Sequence, residues 1–147
     1  PLSGTIFVSV RDHDKPQVLA AARKFAELGF DIVATTGTSN FLAGHGVANR
    51  LVYKVSEGRR PNIIDRIKNG EISLVINTAL GADTSEDAVA IRRTTLAYNV
   101  PYATTVAAAR ALATGIEELR EGNLYLQSLQ EYHPVRRLGP ARLAEAL

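Results

Sequence analysis

Short apolar runs alternate with stretches of helical spacing five times along this chain, and few folds accommodate such an alternation. The strongest run is "ISLVIN" at 72–77, and "TIFVSV" at 5–10 is nearly as apolar. Runs that are apolar at almost every position belong to strands buried on both faces, the condition of a parallel sheet covered by helices. Residues 30–34 form another such run, "NRLVYKV" at 49–55 alternates well enough for a strand, and 101–103 supplies a brief last one. Parallel neighbours joined through helices require right-handed crossovers. The expected architecture is therefore α/β: a three-layer, five-stranded parallel sheet with helices on both faces, of Rossmann or flavodoxin type. The pattern covers 1–120. From 121 it weakens, and 121–147 reads as a C-terminal tail or docking segment.

Between the strands, helix signals are local. Asp14-Lys15-Pro16 opens the first helix, with Asp14 as N-cap and proline tolerated in the first turn. Val18, Leu19, Ala22, Phe25, Ala26 and Leu28 follow at helical spacing, and Gly29 closes the segment. Thr38 or Ser39 is expected to cap a short helix ending near Gly44. Residues 61–69 turn Ile63, Ile64 and Ile67 to one side, and 85–98 and the alanine-rich 106–119 are the last two helices.

Composition excludes several functions. At 147 residues the chain is one domain with room for a core, and a net charge of +2 is too small to argue for nucleic acid despite a pI near 9.2. The chain has no cysteine, hence no disulfide framework, thiolate nucleophile or cysteine-based metal site. His13, His45 and His133 are scattered without ligand spacing, so no metal site is expected. No apolar run approaches the ~20 residues of a spanning helix, and no signal-peptide pattern opens the chain, so no membrane role and a cytoplasmic location are expected. The opening "PLSG" and the lack of methionine suggest a piece of a longer polypeptide.

In a parallel sheet, ligands bind outside the carboxyl ends of the strands. The first strand delivers Ser9 and, just beyond it, Lys15; the second delivers Thr35-Thr36-Gly37-Thr38. The third ends near Lys54, the fourth at Asn77-Thr78-Ala79 and the fifth at Thr104-Thr105. The threonine-glycine stretch offers backbone N–H groups, hydroxyls and a helix N-terminus, the components of an anion cradle. It is equally the composition of a capped turn, and it matches no full Walker or dinucleotide fingerprint. Lys15 and Lys54 supply the charge that a bare cradle lacks. Asn77 could contact a base or sugar or simply form a turn, and Thr104-Thr105 could contact a ligand or cap a helix. Asp12 and Asp14 could act as bases beside a phosphate, or could cap and solvate a loop. No aromatics interleave Arg59, Arg60, Arg66 and Arg92-Arg93, which favours solvated faces or interface contacts over a polyanion groove.

Taken together, "FVSVRDHDK", "GFDIVATTGTSNFLAGHGV", "NRLVYKVSEGR", "IIDRIKNGEISLVINT" and "IRRTTLAYNVPYATT" resemble the methylglyoxal-synthase-like domain. The likeness is greatest to the C-terminal regulatory domain of carbamoyl-phosphate synthase large subunits. It implies the same five-stranded parallel sheet, and a domain that performs no chemistry and has no catalytic residue. The domain instead binds effectors, a UMP- or IMP-type nucleotide and in some members ornithine. Carried onto this sequence, the effector phosphate lies against Lys15, Thr35, Thr38 and Lys54. Ser9, Thr36, Gly37, Asn77 and Thr78 line the rest of the pocket, and Thr104 matches a position associated with ornithine.

The implied partners are the synthetase domains of the same large subunit and its glutaminase small subunit. ATP, Mg and K are expected only in those synthetase domains, with no cofactor here. Ala79 stands where some members carry threonine, and Ala82-Asp83 where some carry basic residues, which bears on effector identity. An extra arginine also follows Gly58. The enzymatic cousin, methylglyoxal synthase, uses an aspartate in a Gly-Gly-Asp stretch where this chain reads "SEGRRPN", and its phosphate elimination is disfavoured accordingly.

Overall fold

The computed structural model describes residues 1–81 and 85–122. Five strands, β1 (Thr5–Ser9), β2 (Asp31–Ala34), β3 (Arg50–Leu51), β4 (Leu74–Asn77) and β5 (Tyr102–Ala103), form one parallel sheet in the order β3-β2-β1-β4-β5. The pairing sets Val8 beside Ala34 on one side and beside Ile76 on the other, so β1 is the central strand. Five helices connect or follow the strands: α1 (Lys15–Glu27), α2 (Thr36–Gly44), α3 (Ile63–Lys68), α4 (Glu86–Ala97) and α5 (Val106–Glu121).

Alternation along the strands sorts the core into two halves. Ile6, Val8, Ile32, Leu74 and Ile76 face α1, α2 and α5, meeting Val18, Phe25, Leu42, Ala109 and Ala113. Phe7, Val33 and Val75 point the other way, onto Ile63 and Ile67 of α3 and Ile91 of α4. Three layers result, as the alternation predicts. Because α1 and α4 lie on opposite faces, the connections leaving β1 and β4 diverge, and the strand order reverses between them.

Two differences from the sequence expectation have simple causes. The strand expected at 49–55 shrinks to Arg50–Leu51, because Lys54 starts a 3-10 turn (Val55–Glu57) while Tyr53 bridges to Asn62. The second strand begins at Asp31, since the Phe30 amide is already bonded to the Phe25 carbonyl at 3.0 Å.

The base of the sheet is tied off by two devices. Gly4 has φ near +120°, and a Cβ there would lie 2.0 Å from the Ser73 hydroxyl, so only glycine passes. Arg120, in the last turn of α5, donates to the backbone carbonyls of Leu2 and Leu28 and lies 5.3 Å from the centre of the Phe30 ring. The 121–147 tail lies outside the described residues from 123 onward, as do Ala82 and Asp83.

Candidate functional site

At the carboxyl ends of β1, β2 and β3 lies a cleft of about 190 Å³. Ser9, Asp12, Lys15, Thr35, Thr36, Gly37, Thr38, Lys54 and Glu57 line it. The turn after β1 is responsible for Lys15. A 3-10 turn over Asp12–Asp14 runs straight into α1, which places Lys15 at the helix start with its side chain mostly covered. Its ammonium lies above the first turn of α2, 3.1 Å from where a Gly37 Cβ would be.

The threonines take different parts from those the sequence suggests. The N-cap of α2 is Thr35, not Thr38 or Ser39, and its side chain makes no capping bond. The Thr35 hydroxyl donates instead to Ser9 Oγ at 3.1 Å, tying β2 to β1, and the Thr38 hydroxyl accepts from the Val10 amide at 3.3 Å. Both threonines are buried. The amides of Thr36, Gly37 and Thr38, in the first turn, have no intrahelical partner, and all three residues line the cleft. Three free N–H groups, the helix dipole and two lysines make this surface chemically suited to an anion.

The cleft also carries carboxylates. Asp12, almost fully exposed, meets the Lys15 ammonium at 2.5 Å. This hydrogen bond and the lysine's charge hold the Asp12 carboxyl below its ordinary range. Glu57 accepts from the Lys54 backbone amide at 3.1 Å, closing the 3-10 turn. Sequence reasoning missed Glu57; its signal was the spacing Lys54-x-x-Glu57, an acid three residues after the first residue of a turn.

Not all expected residues gather here. Asn77 and Thr78 are buried at the end of β4 and do not line the cleft. Asn77 Oδ1 accepts from the Ala79 amide at 3.0 Å, a turn-forming bond. Thr78 Oγ1 accepts from the Arg11 amide at 3.0 Å. A hydrogen bond from the Thr78 side chain also keeps the Asp14 carboxyl below its ordinary range. Asp14 is the N-cap of α1 in position only. It makes no side-chain capping bond; its carboxylate is covered and lies 3.2 Å from His13 and 3.5 Å from Arg11.

Thr104 follows β5, at the sheet edge opposite β3, and Thr105 caps α5 by accepting from the Ala108 amide at 3.1 Å. Arg59 and Arg60 turn away from the cleft, the first over the Tyr53 ring and the second onto Asp65. Among the described residues, no three His, Cys, Asp or Glu side chains gather as a metal site, and no helix is long and apolar enough to cross a membrane.

A family model described as "MGS-like domain" matches residues 17–104, from α1 through the residue after β5. The chain belongs to the MGS-like domain family. It is 48% identical over 132 residues to the carbamoyl phosphate synthase large chain of Myxococcus xanthus and 50% identical over 134 residues to that of Pasteurella multocida. Each match covers 90% of this chain and 12% of the relative. The "Carbamoyl phosphate synthase large chain, C-terminal section" of Methanopyrus kandleri is 47% identical over 134 residues, covering 90% of this chain and 24% of that one. The MGS-like domain thus spans a small part of each of these relatives.

Among solved structures, methylglyoxal synthase from Elizabethkingia anophelis matches with a TM-score of 0.62 over 78% of this chain and 79% of its own, at 22% identity. At that identity the likeness is one of fold.

Proposed function

We propose that this MGS-like domain is the effector-binding regulatory domain of a carbamoyl-phosphate synthase large chain. In this reading it takes a UMP- or IMP-type nucleotide by its phosphate in the rim cleft. The observation that carries the reading is that Lys15 and Lys54 line one cleft together with the first turn of α2. A phosphoryl group set there accepts from the amides of Thr36, Gly37 and Thr38 and pairs with both ammonium groups. Thr35, Thr38 and Ser9 hold that surface in shape through bonds among themselves and to β1.

The nucleoside would extend toward β4, the strand that ends in Asn77 and leads into Thr78. Ornithine is assigned to the Thr104 end of the rim. Effector binding would act as a coupling free energy on the docking of this domain to the synthetase domains of the same chain, which pairs with a glutaminase subunit. ATP, Mg and K belong to those synthetase domains, in the cytoplasm.

Phosphate elimination in the manner of a methylglyoxal synthase is the weaker reading. It needs a carboxylate placed to take a proton, and where methylglyoxal synthases carry a Gly-Gly-Asp stretch this chain reads "SEGRRPN", whose Glu57 is engaged by the Lys54 amide.

Calorimetric titration with UMP, IMP and ornithine tests the proposal. Nucleotide binding is expected, with Lys15→Ala and Lys54→Ala each weakening it by roughly 10- to 100-fold, the worth of a charge-assisted bond. No nucleotide binding at millimolar concentration, or variants equal to wild type, would overturn it. Methylglyoxal formed from dihydroxyacetone phosphate would instead establish the enzymatic reading.

A further inference from the structure

The cleft holds two lysines, but it also holds two carboxylates, and they are placed differently. Glu57 is spent on a backbone amide and belongs to the turn. Asp12 has no such structural duty: its side chain bonds to the Lys15 ammonium at 2.5 Å and is 95% exposed, while that of Lys15 is 19% exposed. The ammonium itself lies over the N-terminal turn of α2, within 3.1 Å of the place a Gly37 Cβ would take. A cation over the positive end of a helix is unfavourably placed unless an anion accompanies it. Asp12 is that anion.

We propose that Asp12 is a specificity-determining residue of the cleft, a resident counter-ion of Lys15 that an incoming phosphoryl group has to displace. The inference rests on the phosphate reading above and adds a filter to it. A monocarboxylate offers Lys15 nothing that Asp12 does not already give. A phosphoryl dianion brings more charge and three oxygens, enough to engage the ammonium and the amides of Thr36, Gly37 and Thr38 together. Because Asp12 is open to solvent, its pair with Lys15 is inexpensive to break, and the filter weakens binding without preventing it. Removing the carboxylate therefore tightens binding of phosphorylated probes, the opposite of what loss of a binding residue does.

The experiment titrates the whole chain, wild type, Asp12→Asn and Glu27→Gln, with inorganic phosphate and with UMP. In parallel, the acetylation rate of Lys15 is followed by mass spectrometry. Glu27 is exposed at the far end of α1, about 18 Å along the helix and beyond the Debye length, so its variant controls for net charge alone. The expected result is that Asp12→Asn tightens both probes about two- to fivefold, the worth of an exposed ion pair, and speeds acetylation of Lys15, while Glu27→Gln does neither.

Wild-type binding of UMP that is unchanged or weakened by Asp12→Asn overturns the counter-ion role and leaves the phosphate site standing. An equal gain in Glu27→Gln overturns it too. Failure of both probes to bind wild type and Asp12→Asn alike, with Lys15 unprotected from acetylation, overturns the phosphate reading and this inference with it.

Discussion

At the scale of single residues, Gly37 separates binding from stability. Its backbone is helical and its Cα exposed, so alanine suits the helix better there, by roughly 0.5–1 kcal/mol. The new methyl group, however, meets the Lys15 ammonium at 3.1 Å and crowds the surface where an anion is received. Gly37→Ala is therefore expected to leave the melting temperature unchanged or slightly raised and to weaken UMP binding measurably in the same preparation.

Asp65 offers a test in acid. The Arg60 side chain, first, and the Asn62 amide, second, hold its carboxyl at about 2 against an ordinary value of 3.8. The folded state thus binds its proton later than the unfolded chain does, and the stabilisation is complete above the unfolded value. It disappears as pH falls from 3.8 through about 2. Scanning calorimetry across that range should show Asp65→Asn melting below wild type at neutral pH, with the gap closing as the wild type loses its carboxylate.

Residue chemistry also marks where sequence reading stops. Lys15, Thr35, Gly37, Thr38 and Lys54 are recognisable because cations, hydroxyls and glycine at strand ends are unusual in a chain otherwise apolar there. Asn77 and Asp14 look equally suited to a site, yet Asn77 is engaged by the Ala79 turn amide and Asp14 by the Thr78 hydroxyl beyond β4. Short polar side chains satisfy nearby backbone as readily as ligands, and composition does not distinguish the two uses.

At the scale of elements, the start of α2 organises the cleft. A helix whose first residues are Thr36-Gly37-Thr38 presents its free amides to the rim. Starting after Thr38, as hydroxyl capping rules suggest, the same helix would have spent that stretch as a loop. What overrides the rule is tertiary: the Thr38 hydroxyl accepts from the Val10 amide, and the Thr35 side chain is turned to Ser9. Thr38→Val keeps the shape and removes the acceptor. With Thr38 only 2% exposed, the stranded Val10 amide should cost about 1–3 kcal/mol in urea unfolding. Strand existence was legible from apolar runs, whereas the length of β3 was not. Its residues alternate correctly, but the 3-10 turn beginning at Lys54 ends the pairing early.

At the scale of the whole molecule, the central sheet divides the interior into two compartments. Ile6 belongs to the half packed by α1, α2 and α5, and Ile67 to the half packed by α3 and α4, both without solvent exposure. Ile6→Val and Ile67→Val are each expected to cost about 0.5–1.5 kcal/mol. Because no partner is shared, the double variant should lose the sum to within about 0.5 kcal/mol, as read from urea midpoints at constant m. A larger deviation would show that strain crosses the sheet.

The clamp that Arg120 forms at the base has a mechanical side. By joining the last turn of α5 to Leu2, it makes the two routes into the described chain neighbours, so polypeptide flanking both would grip the domain at one point. Gripped there, the domain would be held as a leaf is held by its stalk. From that point to the cleft is one strand, about 17 Å for the five residues of β1. A tilt of about 10° at such a stalk would carry the rim through about 3 Å, the length of a hydrogen bond.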